Sequence, residues 1–80
     1  MPVMELGRTP LADRLILERA RRDWSQEELA REAGVSPTTI AKVEKGHGGA
    51  RARTLYKIAN ALGIDAMELY ELARKGGGDA

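Results

Sequence analysis

The sequence predicts an all-α fold, a compact arrangement of five helices without strands. Apolar residues recur three and four positions apart along most of the 80-residue chain, which is the spacing of one helix face. Residues that start and stop helices separate these periodic segments. The clearest segment, 25–46, is predicted to be two short helices joined by a tight turn, and the other helices are predicted on either side of it.

The first helix is predicted over about 11–23, and it follows a threonine and a proline. Thr9 is a suitable N-cap, and Pro10 fits the first helical position because its missing N–H has no intrahelical partner there. The predicted core stripe of this helix consists of Leu11 and Leu15. The residues predicted to flank this stripe are Ile16, Ala20 and Leu17.

Arg19 falls on the buried side of the same helix, one turn beyond Leu15. A buried arginine needs a carboxylate partner, and we expect Glu44 to supply it. Trp24 stands just before the next helix, where it is predicted to pack as a hydrophobic staple on Leu29.

Segment 25–46 carries a complete set of helix boundaries. Ser25 and Glu28 have the spacing of a capping box, and Gly34 suits a left-handed C-cap. Ser36 is a second N-cap and Gly46 ends the second helix. This pattern predicts a helix-turn-helix of the DNA-binding kind, although an ordinary helical hairpin inside a core is the plain alternative.

The second helix of this segment presents short hydroxyl and lysine side chains outward. The apolar residues predicted to face the core are Leu29, Ala30, Ala33, Val35, Ile40 and Val43. The positions left facing outward are Thr38, Thr39, Ala41, Lys42 and Lys45. An exposed helix of this composition suits a DNA groove.

Charge is unevenly distributed along a chain whose formal net charge is only +1. Segment 36–57 holds five basic residues and a single acidic one, whereas segment 58–80 holds two basic and four acidic residues. Basic residues therefore gather on and just after the proposed recognition helix, as a phosphate-facing surface requires.

The segment between the third and fourth helices is rich in glycine and then contains two arginines. This loop is either a plain connector or a flexible basic arm, in which Arg51 binds a phosphate and Arg53 lies near the minor groove. The fourth helix is predicted over about 53–62 and ends at Gly63.

A fifth helix is predicted over about 66–74, opened by a capping box of Asp65 and Glu68. Leu69 is assigned to the core. The remaining apolar side chains exceed what so short a helix buries within its own domain, which predicts a dimer interface formed by Met67, Tyr70, Leu72 and Ala73. Flexible tails are expected at 1–10 and 75–80, leaving 11–74 as the domain.

The sequence lacks the residues that several classes of function require. There is no cysteine and only one histidine, His47, so neither a metal site nor a cysteine nucleophile is expected. No apolar run approaches the ~20 residues that span a bilayer. We expect a cytoplasmic protein that has no cofactor, no small-molecule ligand and no membrane partner. An enzyme is not expected.

The pattern resembles the Cro-like (XRE) helix-turn-helix family of phage-repressor type. The matching segments are 24–30, 33–36, 43–46, 57–59 and 61–64, together with Ile40 and Leu55. The resemblance implies a lambda-repressor-like domain of a prokaryotic cell or phage that binds a palindromic operator in double-stranded DNA, usually as a homodimer.

Residue roles follow from this resemblance position by position. Gln26 matches a phosphate-anchoring glutamine, while Arg19 and Glu44 match a pair that ties the first helix to the third. Pro37 departs from the family pattern, because relatives often carry a long polar side chain there. The DNA-binding residues expected are Gln26, Ser36, Pro37, Thr38, Thr39, Lys42, Lys45, Arg51 and Arg53.

The leading prediction is a sequence-specific transcription regulator, either a repressor or a controller. The alternative is an antitoxin or other protein-interaction module, whose helical domain mainly binds a partner such as a toxin through the fifth helix. The basic balance of segment 36–57 favours the regulator.

Overall fold

The computed structural model describes residues 9–47 and 50–77. Within these residues the chain forms five α-helices and no strand, which confirms the predicted fold class. The helices are α1 (Pro10–Arg22), α2 (Gln26–Ala33), α3 (Pro37–Glu44), α4 (Ala52–Leu62) and α5 (Ala66–Gly77).

Side-chain caps start the first three helices as the sequence predicts. Thr9 Oγ1 accepts a hydrogen bond from the Ala12 N–H at 3.0 Å. Ser25 and Glu28 form the full capping box, with the Glu28 N–H donating to Ser25 Oγ and the Ser25 N–H donating to Glu28 Oε1. Ser36 Oγ accepts from the Thr39 N–H at 3.1 Å. These caps satisfy backbone donors that have no intrahelical partner.

The turn between α2 and α3 depends on a left-handed residue. Gly34 has φ +76°, which an L side chain adopts only with strain. The next residue, Val35, donates its N–H to the Ala30 carbonyl and packs its side chain against the core. The chain thereby reverses direction within three residues and leaves α3 packed on both α2 and α1.

One core joins all five helices. Helix α4 packs on α2 and α5, and α1 packs on α5 and α3. Leu29, Ile40 and Leu69 are fully buried, as the sequence predicts. The other buried core residues are Leu11, Leu15, Ala30, Ala33, Val43, Leu55, Ile58, Ala59 and Leu62.

Helix α1 buries the predicted core stripe, Leu11 and Leu15, but not all of the residues predicted to flank it. Leu17 is 47% exposed and Ala20 is also exposed, whereas Ala12 and Glu18 are buried. Each helical residue advances by about 100°, so Leu17 lies about 200° around the helix from Leu15. The prediction extended the apolar side too far because it grouped residues by hydrophobicity rather than by angle.

The structure describes only part of the predicted tails. The predicted tails fall largely on residues 1–8 and 78–80, which lie outside the described residues. Of the part that is described, Thr9 and Pro10 begin α1, and α5 continues to Gly77 instead of ending near Arg74.

Helix α5 forms only one side of its predicted capping box, because the Glu68 side chain does not return to the backbone of Asp65. Asp65 Oδ1 accepts from the Met67 N–H at 3.0 Å, but the Glu68 carboxylate turns to Arg14 on α1. An ionised guanidinium gives a charge-assisted hydrogen bond, which is stronger than one from a neutral backbone N–H.

The apolar surplus predicted for α5 is smaller than expected. Tyr70, Leu72 and Ala73 are half-buried and pack against the protein's own core. The Tyr70 hydroxyl also reaches the Ala52 carbonyl at 3.4 Å. Met67 is the one member of the predicted interface that remains largely exposed, at 55%.

Candidate nucleic-acid interface

Helix α3 turns its polar residues to solvent. Ile40 and Val43 are buried, while Pro37, Thr38, Lys42 and Lys45 are exposed. An isolated α-helix is about 10–12 Å wide, close to the ~12 Å width of the major groove of B-DNA. The exposed side of α3 therefore has the shape and the side chains to lie against base edges.

A buried carboxylate connects α3 to the two preceding helices. Arg19 donates from Nε to Glu44 Oε2 at 2.8 Å and from Nη2 to Glu44 Oε1 at 2.9 Å. Arg19 Nη1 also donates to the Trp24 carbonyl. The hydrogen bonds that Arg19 donates to Glu44 hold the pKa of Arg19 above its usual value.

Gln26, the first residue of α2, joins the same cluster. Its Nε2 donates to Glu44 Oε1 at 2.9 Å. The Glu44 side chain is only 4% exposed, and two helices thus share one carboxylate through Arg19 and Gln26. These three residues are called the Glu44 cluster below.

A groove separates the outer side of α3 from the start of α4. Its volume is about 420 Å³. Lys42, His47 and Arg51 supply basic groups along it, and the remaining lining residues are Thr39, Val43, Ala50 and Thr54. A groove lined by cations and hydroxyl groups suits an anionic ligand such as a DNA phosphate.

Ser36 and Thr39 are held together at the start of α3. Their hydroxyl oxygens lie 3.0 Å apart, within hydrogen-bonding distance. Ser36 Oγ already accepts the Thr39 N–H. This double contact orients both hydroxyls at the edge of the groove, of which Thr39 is a lining residue.

The structure places both arginines of the predicted flexible arm at the start of α4, where the fourth helix is predicted to begin. Arg51 is the N-cap residue of α4 and Arg53 lies in its first turn. Both side chains are exposed. A helical residue is not part of a mobile arm, so the predicted arm does not include Arg53. The contact of Arg53 with the minor groove stays a prediction. Gly48 and Gly49 of that loop lie outside the described residues.

Basic residues near the interface differ from those of α1 in their partners. On α1, Arg14, Arg21 and Arg22 surround the buried Glu18, with their nearest nitrogens 2.8–3.4 Å from its carboxylate. The basic residues of α3 and α4 contact no carboxylate among the described residues; these are Lys42, Lys45, Arg51, Arg53 and Lys57.

Sequence reasoning overlooked two lining residues of the groove. His47 was considered only as a metal ligand, and Thr54 was assigned no role. The available signal was their position, because His47 lies three residues after the end of α3 and Thr54 lies one helical turn beyond Arg51. The groove between α3 and the start of α4 is a tertiary feature that local periodicity does not encode.

Two other kinds of site were sought in the described segments. No group of three or more His, Asp or Glu side chains there is arranged to hold a metal ion. None of the helices described is both long and apolar enough to cross a bilayer.

Comparison with known proteins places this arrangement in context. The model of the HTH_3 helix-turn-helix family matches residues 14–69. A protein described as a hypothetical transcription factor of Neisseria meningitidis serogroup B is 39% identical over 62 residues. That match covers 78% of the chain and 58% of the relative, so the chain spans less than two thirds of the relative's length.

Two solved structures share the fold closely. The hypothetical transcription factor NHTF from Neisseria superposes with a TM-score of 0.73 at 35% identity, covering 86% of this chain and 85% of that one. The restriction-modification controller protein C.AhdI from Aeromonas hydrophila superposes with a TM-score of 0.70 at 31% identity, covering 76% of this chain and 92% of that one.

Proposed function

Given that the chain belongs to the HTH_3 helix-turn-helix family, a family of DNA-binding transcription regulators rather than enzymes, we propose that it binds a palindromic operator as a homodimer. In this proposal α3 enters the major groove and the protein acts as a repressor or controller. The cytoplasmic location predicted from the sequence is part of the same proposal.

The observation that carries the proposal is the unpaired positive charge beside α3. Lys42 and Arg51 line the groove between α3 and α4, and Lys45 is exposed at the C-terminal end of α3. None of the three contacts a carboxylate of residues 9–47 or 50–77. Cations without protein partners are available to replace the counterions of a DNA backbone.

Base recognition is assigned to three exposed residues of α3, two at its start and one in its last turn. Lys42 has the length and charge to donate to guanine O6 or N7, and Thr38 is short enough to contact a base edge directly. Pro37 offers only an apolar surface, which suits a thymine methyl group. All three side chains are exposed.

Contacts with the DNA backbone are assigned to residues at the start of α2, on and beside α3, and at the start of α4. The assigned residues are Gln26, Ser36, Thr39, Lys45, Arg51 and Arg53. Gln26 stands at the first position of α2, where the helix N-terminus favours an anion. Arg51 and Arg53 stand at the corresponding end of α4.

A dimer fits the dimensions of the domain. The longest extent of the domain is 30 Å, and half-sites read by paired recognition helices lie about 34 Å apart. The centres of two copies placed side by side would therefore lie about one turn of DNA apart. Met67, exposed on α5, is the strongest remaining candidate for the contact between them.

Selection of bound sites from a random duplex pool tests this proposal. The expected result is an inverted repeat whose half-sites are centred about 10 base pairs apart. Wild-type protein that recovers no preferred sequence at any salt concentration would contradict it.

A protein-binding module, such as an antitoxin that binds a toxin through α5, remains the second candidate. Its support is the exposed Met67, but Tyr70, Leu72 and Ala73 are largely engaged with the protein's own core. The variant Lys42→Glu separates the two functions: we expect it to lose DNA affinity and to keep any partner of α5. A Lys42→Glu variant that keeps wild-type DNA affinity would contradict that separation. A variant that loses DNA and the protein partner to the same extent would also contradict it.

A further inference from the structure

The Glu44 cluster joins a residue assigned to DNA contact with one that is buried beneath it. Gln26 is half-exposed on α2, and Glu44 is 5% exposed at the C-terminal end of α3. Their contact is the 2.9 Å hydrogen bond from Gln26 Nε2 to Glu44 Oε1. Glu44 therefore faces a residue of the proposed interface without being exposed to DNA itself.

The charge of Glu44 determines which end of the Gln26 amide faces it. An ionised carboxylate only accepts hydrogen bonds, so the amide nitrogen must be turned towards Glu44 and the amide oxygen away from it. A primary amide nitrogen carries two hydrogens. One is donated to Glu44 Oε1, and the second remains available on the same nitrogen.

DNA phosphates accept hydrogen bonds and do not donate them, so a glutamine that binds a phosphate must present an N–H. We propose that Glu44 is a positioning residue for DNA binding: it fixes the Gln26 amide so that the second N–H of Nε2 is presented to a phosphate. This inference rests on the proposed function. Arg19 completes the arrangement by neutralising Glu44 through two hydrogen bonds, which limits its repulsion of the phosphate.

A double-mutant cycle on DNA affinity tests the coupling. The proteins are wild type, Gln26→Ala, Glu44→Gln and the double variant, each titrated with the selected operator at one salt concentration. A glutamine at position 44 removes the charge that orients the amide. We expect Glu44→Gln to weaken binding about threefold to tenfold when Gln26 is present, the effect of about one hydrogen bond, and to have little effect when residue 26 is alanine.

A matched control separates positioning from general destabilisation. Glu18 is as buried as Glu44 and is also paired with arginines, but its partners are Arg14, Arg21 and Arg22. Glu18→Gln should change operator affinity equally whether residue 26 is glutamine or alanine. Thermal unfolding of every variant shows the temperature range in which all are folded, and titrations are made there.

A second measurement needs no substitution. Gln26 gives two side-chain amide proton signals in a ¹H–¹⁵N spectrum of the wild-type protein. Addition of operator DNA should shift the proton that is not bonded to Glu44 by more than the one that is. The inference would be overturned if Glu44→Gln reduced operator affinity equally with glutamine and with alanine at position 26, or reduced it in neither. It would also be overturned if the Gln26 amide proton signals did not shift when DNA is added. If the wild-type protein binds no duplex, the proposed function fails and this inference fails with it.

Discussion

Glu44 and Glu68 are carboxylates with arginine partners in very different surroundings. The Glu44 side chain is 4% exposed and meets Arg19 through two hydrogen bonds. Glu68 is 52% exposed and receives one hydrogen bond from Arg14. Removal of one partner from a buried pair leaves an unpaired charge in a poorly solvated place. An exposed pair loses little, because water replaces the missing partner.

We therefore predict that Glu44→Ala lowers the free energy of unfolding by about 3–5 kcal/mol. The matched variant Glu68→Ala should cost about 1 kcal/mol or less. Urea denaturation followed by circular dichroism measures both. Similar losses in the two variants would show that burial of Glu44 does not determine the energy of its ion pair.

At the scale of single elements, the α2–α3 turn depends on the backbone conformation of Gly34. A Cβ built on Gly34 meets no other atom within 4 Å, so the space for a side chain exists. The φ of +76° is the obstacle, because L residues pay about 1–2 kcal/mol in the left-handed region.

Gly34→Ala should accordingly destabilise the protein by about 1–2 kcal/mol through backbone strain alone. Gly34→Asn should cost less, since asparagine tolerates this conformation better than alanine does. Chemical denaturation of the two variants provides the comparison. An alanine variant as stable as wild type would mean that the turn relaxes to another conformation.

The charged cluster of α1 predicts how stability depends on pH. Hydrogen bonds from Arg14 and then Arg22 hold the pKa of Glu18 below its usual range. Because the folded pKa lies below that of the unfolded chain, this contribution is fully present above about pH 4.3. It is lost as the pH falls through the folded pKa.

We expect the stability advantage of wild type over Glu18→Gln to shrink as the pH falls from about 6 to about 3. Thermal unfolding of both proteins across this range measures the difference. Glu18→Gln is the control for the wild-type protein, because glutamine does not titrate at this position. An advantage that stays constant down to the lowest pH would contradict the assigned role of Glu18.

Elements were predictable where their signals are local. Thr9, Ser25 and Ser36 each cap a helix whose first turn follows within three residues, and such short-range chemistry can be read from the sequence. Burial of Glu18 could not be read in this way. It depends on arginines that surround it only once the helix has formed and packed, and on the contact of Arg22 with the Leu62 carbonyl on α4.

At the scale of the whole molecule, the distribution of ion pairs separates two surfaces. Arginines of α1 are held by carboxylates, and one of these, Glu68, lies 54 residues further along the chain from Arg14. The residues of α3 and its groove lack such partners within the described segments. Composition revealed the basic excess of segment 36–57, but only the packed fold shows which cations remain available.

The packed fold also explains why the burial of the apolar residues of α5 was only partly predictable from the sequence. A helical wheel of α5 cannot distinguish apolar residues that meet the protein's own core from those that meet a partner. Tyr70 closes against the start of α4, whereas Met67 does not join the core. Whether an apolar residue of α5 is buried depends on which other helices pack beside it, and that packing is a property of the whole molecule.

The central claim is that α3 reads bases through Lys42 while neighbouring cations hold the backbone. Site selection from a random duplex pool, followed by titration of the selected site and of single-base variants, tests it on Lys42→Ala and Lys45→Ala in parallel. Both lysines are exposed within one turn of each other. We predict that Lys42→Ala costs about 1–3 kcal/mol and loses discrimination at one base pair of each half-site, while Lys45→Ala weakens all sequences alike. If both variants keep the wild-type preference at every base pair, α3 does not read DNA through Lys42.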